Sequence, residues 1–389
     1  MSAATRDAEC RLDELATFRR ELHRRPETGF DVAATAGVVA ARLRAAGLEV
    51  TSDVGGSGVV ATLRRGTSGR SIGLRAELDA LPITERTGLA HASERDGAFH
   101  GCGHDGHMAM LLGAVEALAA MPDLDGSVHV VFQPDEENGR GAQAMIDDRL
   151  FERFPMDAVF GLHNLPGLPI GHLATRPGTF TAFEETFVIE VQGSGGHASA
   201  PERTIDPMVA GAEMVVALQS IVARSLAPRD HGVVSVTEFV TDGARNIIPS
   251  HVTIRGDVRG FAEGVSDTIR TRMHQIVSGV AAAHGAGATL AYAREFATVV
   301  NPAREVEEVA RAAGAVAGMQ VRADADPVGF SEDFAQFLHH RPGCFVLLGN
   351  GSDGPHGRSL HHASYDFNDA AIPYGIDYWC RLVRGRLTG

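Results

Sequence analysis

A thiol and an imidazole stand two residues apart in His100-Gly101-Cys102-Gly103-His104-Asp105. A thiolate beside a neutral imidazole suits a divalent cation such as zinc. The run that follows, from His107 to Met121, is too apolar for a surface helix and too long for one strand, so it reads as a buried helix. Cys102 and His104 then lie on the loop entering a helix N-terminus, where free amides and the macrodipole favour a thiolate. Further candidate donors recur along the chain: Glu77 and Asp79, the acidic run Asp135-Glu136-Glu137, His163, and His356, His361 and His362. One carboxylate on a metal, with a neighbour moving protons, is what metal-assisted hydrolysis needs.

Taken singly, each feature has a plainer reading. Most buried cysteines are small hydrophobes. An acidic run is usually a solvated loop, and paired carboxylates are often a polar strand terminus. Their shared placement argues otherwise. Short apolar strands at 59–63, 71–76, 127–134, 157–162 and 344–349 alternate with helices, among them an amphipathic one over 8–25 and another from Val32 to about Ala46. That order predicts an α/β domain with a largely parallel sheet flanked by helices. In such sheets ligands gather beyond the carboxyl ends of the strands. Glu77/Asp79, Glu136/Glu137 and His163 fall at such ends, with Cys102/His104 in a neighbouring loop.

The middle of the chain has a different rhythm. Alternating strands near 186–191, 232–237 and 251–258, with helices over 207–224 and 265–284, predict a small antiparallel sheet with helices on one face. We therefore expect a metal-binding domain at 1–179 and 296–389, interrupted by an α+β insert at 180–295. Within the insert, Gly193-Ser194-Gly195-Gly196-His197 places His197 on a flexible loop.

At 389 residues the chain is too long for one ordinary core, which agrees with two domains. A formal charge of −14 argues against nucleic acid or an anionic membrane as partner. Cys10, Cys102, Cys344 and Cys380 are widely spaced with no C-x-x-C pair, which suggests a reducing compartment, the cytoplasm. The N-terminus shows no apolar signal core, and no segment reads as a membrane span.

The motifs together resemble the metal-dependent amidohydrolases that include hippurate hydrolase and the indoleacetyl-amino-acid hydrolases, relatives of aminoacylase and the zinc carboxypeptidases. The resemblance runs from Leu22-His23-Arg24-Arg25-Pro26-Glu27 to Tyr365-Asp366-Phe367-Asn368-Asp369. Its most specific parts are Gly101-Cys102-Gly103-His104-Asp105, Phe132-Gln133-Pro134-Asp135-Glu136-Glu137, Gly161-Leu162-His163-Asn164, Gly195-Gly196-His197-Ala198 and Asn246-Ile247-Ile248-Pro249. It implies a zinc-peptidase-like catalytic domain and an inserted ferredoxin-like dimerisation domain, hence a homodimer. It also implies two divalent metal ions, manganese or zinc, with cobalt or nickel admitted by the same donors. Cys102, His104, Glu137, His163 and His361 would be the ligands, with Asp79 orienting them. Glu136 would be the general base, His197 would stabilise the oxyanion in the partner subunit's site, and Asn246 would help hold substrate.

Three positions depart from the family pattern. Glu77 stands where the family usually has Asp, and Glu202 where relatives often carry His. Leu360-His361-His362-Ala363 replaces the usual Leu-His-Asn-Pro, so His362 competes with His361 as the last ligand. The implied reaction is hydrolysis of an N-acyl amino acid to a carboxylic acid and a free amino acid. Three alternatives stay open: a dipeptidase or carboxypeptidase on the same scaffold, a thiol hydrolase with Cys102 activated by His104, and a non-catalytic metal- or ligand-binding protein.

Overall fold

Two compact units divide the chain in the computed structural model, which describes residues 3–388 and their side chains from Arg11 onward. The Cys10 thiol lies outside the described residues. The first unit comprises Met1–Phe180, Val300–Asp326 and Asp333–Gly389.

Its sheet has eight strands, in the order Glu49–Val54, Gly58–Arg65, Gly126–Gln133, Ser71–Glu77, Val159–Pro166, Gly343–Gly351, His172–Ala174 and Gln320–Arg322. The four central strands run parallel. Strands Ser71–Glu77 and Gly126–Gln133 are buried along their whole length, as a sheet covered on both faces requires. The sheet is mixed rather than parallel throughout. Glu49–Val54 and Gly58–Arg65 form an antiparallel hairpin, and Gly58–Arg65 meets Gly126–Gln133 antiparallel. Only three residues separate the hairpin strands, too few for a parallel crossover.

Helix His104–Ala119 is buried on nearly every side, including Met108, Met110, Leu111, Leu112 and Val115. It packs against the helices Ala3–Arg24 and Ile372–Leu387. Gly113 permits that approach: a Cβ there would lie 2.6 Å from Ile376 and 2.7 Å from Leu15. The helix is thereby fixed along its length, and so is the loop that feeds it.

The second unit comprises Thr181–Val299 and Pro327–Glu332. Its antiparallel sheet has the order Gly232–Thr241, His251–Gly260, Phe183–Gln192, Gly287–Phe296. Helices Pro207–Ser225 and Glu263–His284 intervene in a β-α-β-β-α-β succession, the ferredoxin-like arrangement. Phe183, Phe187, Ile189 and Val191 alternate with half-buried residues and point into the core under the helices. Asp206 caps the first helix by accepting from the backbone N–H of Met208 at 2.8 Å, with Pro207 opening its first turn.

Three features differ from the expectations of sequence. Phe180, expected in the insert, belongs to the first unit, while residues 296–299 and 327–332 belong to the second and not to the domain expected at 296–389. The Ala182 backbone N–H donates to the carbonyls of Val328 and Phe330, and Arg259 donates to Gly329 and Ser331. These contacts are hydrogen bonds from a backbone N–H and from the Arg259 guanidinium, and they leave no hydrophobic period to read. His197 is not on an unpaired loop: Gly196–His197 pairs with Ile247–Ile248 as a short ribbon. Finally, Pro207–Ser225 is long and apolar enough to cross a membrane by length and composition, although no span was expected. Ala210, Met214, Leu218 and Ile221 pack it onto its own sheet, while Val209, Val216 and Val222 stay exposed.

Candidate metal centre

The carboxyl ends of the parallel strands deliver most of the candidate donors to one place. Gly103 caps helix His104–Ala119 at φ +90°, where any Cβ would strike the Asn164 side chain and the Tyr365 hydroxyl. That turn puts Cys102 just ahead of the helix and His104 at its first position. Below the loop, Asp105 accepts from His23 Nδ1 at 2.8 Å and from Arg19 Nη1 at 3.2 Å. Burial opposes a charge on His23, but Asp105 outweighs it and lifts the imidazole to about 9. The loop is therefore anchored to the first helix by a buried ion pair.

Each imidazole is aimed by its other nitrogen. His104 Nδ1 donates to the Asp79 carbonyl at 2.7 Å, which turns Nε2 inward. His163 Nδ1 donates to the Asn164 carbonyl at 2.7 Å, which leaves Nε2 at 3.3 Å from Cys102 Sγ. Burial, then the neighbouring His107 and His163, hold His104 well below its ordinary value. Its imidazole is thus neutral, the ligating form.

Strand Gly126–Gln133 leads into Asp135-Glu136-Glu137. Asp135 adopts φ +50° and binds Arg140 Nε at 2.7 Å, so it staples the turn rather than joining the site. Glu136 Oε2 and Glu137 Oε1 lie 3.8 and 3.9 Å from His104 Nε2. Asp79 holds Glu137 in place, its carboxylate accepting the Glu137 N–H at 3.2 Å. Burial, then the Glu137 charge, push the Asp79 carboxyl well up.

His361 arrives from the far end of the chain. Its N–H donates to the Gly101 carbonyl at 2.9 Å, and its Nε2 is 3.3 Å from Glu137 Oε2. It does so at φ +64°, a costly conformation for a residue with a Cβ. His362 turns away, its Nδ1 accepting the Ser364 N–H at 3.1 Å.

Two of the donor clusters overlap at Cys102: Cys102, His104 and His163 form one, and Cys102, Glu137 and His361 the other, while Glu77, His104 and His107 make a further cluster behind them. Ligand atoms within each set lie within 4.8 Å of one another, as do those of His104, Glu136 and Glu137. His104 Nε2 and Glu137 Oε1 are buried without a hydrogen-bond partner, which is costly unless a cation supplies one. One thiolate among imidazoles and carboxylates admits zinc, manganese, cobalt or nickel. The thiol alternative paired Cys102 with His104; the structure also places the His163 imidazole at 3.3 Å from Cys102 Sγ.

Sequence reasoning passed over the layer behind these donors: Arg75, His107, Asn164 and Tyr365. His107 follows His104 by one helical turn, and Asn164 follows His163 directly, so spacing alone could have flagged both. In the second unit, His197 Nδ1 accepts the Ser199 backbone N–H at 3.1 Å, which leaves Nε2 as the donor. The Asn246 carbonyl accepts the N–H of Ala198, so Asn246 and His197 are neighbours.

Comparison with known proteins follows the same lines. The pattern of peptidase family M20/M25/M40 matches residues 73–385. The chain is 36% identical to hippurate hydrolase of Campylobacter jejuni, over 95% of this chain and 96% of that one. It is 34% identical to N-acetyl-L-cysteine deacetylase of Bacillus subtilis, over 92% and 85%. Among solved structures it resembles the Bacillus subtilis YXEP protein, a dinuclear metal-binding peptidase of the M20 family. The TM-score is 0.83 at 29% identity, covering 96% of this chain and 98% of that one.

Proposed function

The chain belongs to peptidase family M20/M25/M40 and is a metal-dependent hydrolase of amides; we propose that it cleaves the amide bond of small N-acyl amino acids, releasing a carboxylic acid and a free amino acid. The observation that carries this reading is the pair of donor sets meeting at Cys102 with a further carboxylate, Glu136, beside them. Cys102, His104, Glu137, His163 and His361 would hold two divalent cations. Once bound, these supply hydroxide near neutral pH, lowering the pKa of water from ~16 towards ~7, and polarise the amide carbonyl.

The chain's own groups do the rest. Glu136 takes the proton of the attacking water and passes it to the leaving amine, a contribution of about 10²–10⁴-fold. Asp79 fixes the His104 ring and the Glu137 backbone. His197 donates from Nε2 to the oxyanion in the partner subunit's site, and Asn246 helps hold the substrate beside it. A donor of this kind is worth roughly 3–4 kcal/mol.

The partner is a second copy of this chain. The second unit's sheet ends on Gly232–Thr241, whose Val233, Phe239 and Val240 are exposed, and the exposed stripe of Pro207–Ser225 adds Val209 and Val216. A bare apolar edge strand templates pairing with another chain. A reducing compartment, the cytoplasm, suits a site built on the Cys102 thiolate.

The deciding experiment is a panel of benzoyl, acetyl, indoleacetyl and long-chain acyl amino acids, with dipeptides alongside, assayed with added Mn²⁺ or Zn²⁺ and with EDTA. Turnover of acyl amino acids that EDTA abolishes supports the reading. Turnover of dipeptides alone moves the assignment to a peptidase. Binding without turnover favours a non-catalytic role, and activity that survives EDTA favours a thiol enzyme.

A further inference from the structure

Behind the donors runs a buried polar chain that the reaction itself does not use. Asn164, His107, Glu77, Arg75 and Asp333 are all at most 2% exposed. His107 Nδ1 donates to Glu77 Oε2 at 2.7 Å, and its Nε2 sits 2.9 Å from the Asn164 backbone nitrogen and 2.8 Å from the Asn164 side-chain oxygen. Glu77 is ion-paired with Arg75. Arg75 reaches Asp333 at 2.9 Å and Gln133 at 2.9 Å, and Gln133 donates to Asp333 at 2.8 Å. Asp333 also accepts the N–H of Ala142 at 2.9 Å.

The two ends of this chain are what give it meaning. At one end, the Asn164 carbonyl aims His163, and the Asn164 and Tyr365 side chains abut Gly103, the residue between Cys102 and His104. At the other, Gln133 and Ala142 bracket the turn that carries Glu136 and Glu137. The chain therefore ties together the two loops that supply the donors. Stability alone does not explain it, because apolar residues of similar volume stabilise as well as a buried ion pair or better. A fixed distance between two loops is something that only directional bonds provide.

We propose that Glu77 and His107 are positioning residues that set the separation between the Cys102, His104 and His163 donors and the Glu136–Glu137 carboxylates. The inference rests on the metal-centre reading above. Its consequence is that metal affinity depends on two side chains outside the proposed ligand set of Cys102, His104, Glu137, His163 and His361.

The test compares metal-free wild type, Glu77→Gln and His107→Gln by titration with Co²⁺, reading both affinity and the absorption spectrum. Loss of an outer hydrogen-bond partner of this kind lowers metal affinity about 10–100-fold, and that is the fall expected in both variants, with an altered cobalt spectrum. Glu77→Asp keeps the charge and recovers most of the affinity. At saturating metal, kcat falls in the Gln variants while KM holds. Urea midpoints of the metal-free proteins show whether each variant is folded. Folded variants with affinity and spectrum unchanged overturn the proposal, and so does failure of both to fold, which would assign the relay to stability. Wild type that takes up no cobalt overturns the metal-centre reading itself.

Discussion

Glu136 and His361 carry the sharpest residue-level expectations. Glu136→Gln keeps the size of the side chain and removes its basicity. Turnover should fall by about 10²–10⁴-fold with metal content unchanged; a variant that keeps most of its kcat would free Glu136 of the base role. His361→Ala should weaken metal binding, whereas His362→Ala should leave it near wild type, since only His361 approaches Glu137. Equal losses in a chelator competition would contradict that division. At this scale the sequence was informative about type and poor about direction. Cysteine, histidine and glutamate at strand ends announced a metal. Register against the Asp-Phe-Asn-Asp run favoured His361 over His362, and it is His361 that turns towards Glu137, on a left-handed backbone at φ +64° that the spacing did not signal. Asp135 shows the converse: it looked like a third acid of the site, and its carboxylate is occupied by Arg140 and Asn138.

Strand Gly126–Gln133 shows how an element serves the site and what it costs. It delivers Glu136 and Glu137 by being buried along its length, and that burial extends to His129, which is 3% exposed and bonded to Thr62 Oγ1 at 2.9 Å. Burial, aided by Arg64, pushes His129 down to about 4 from its ordinary 6.5. Because the folded pKa is depressed, the unfolded chain binds the extra proton. The stability at stake is complete above about pH 6.5 and lost as pH falls towards 4, in all about 3 kcal/mol. Urea midpoints of metal-free wild type should therefore decline more steeply between pH 7 and pH 4 than those of His129→Gln; parallel declines would contradict the assignment. The buried strands and the helix after His104 were legible because continuous apolar runs admit few readings. Pairing direction was only partly legible. The central strands are parallel as expected, but the hairpin Glu49–Val54/Gly58–Arg65 sets an antiparallel flank that composition does not signal.

For the whole molecule, the change from continuous to alternating strands marked the inserted α+β unit. The return of 327–332 to that unit left no trace, since hydrogen bonds from the Ala182 N–H and the Arg259 side chain hold it. The apolar surface of the second unit makes assembly testable. Val216 is 73% exposed and Val240 52%, on helix Pro207–Ser225 and on the edge strand Gly232–Thr241. If the proposed dimer forms through this surface, Val216→Glu with Val240→Asp should give a monomer in sedimentation velocity and, with His197 proposed to act on the other copy, lose activity while metal binding persists. An unchanged sedimentation coefficient would rule out this surface.

The convergence of distant side chains on a pair of cations is tested most directly by titrating the metal-free protein with Co²⁺ while following thiolate-to-metal charge transfer. Two equivalents should bind per chain with a charge-transfer band that Cys102→Ser abolishes. A spectrum without that band, or one that Cys102→Ser leaves intact, would show that the thiol of Cys102 faces no metal.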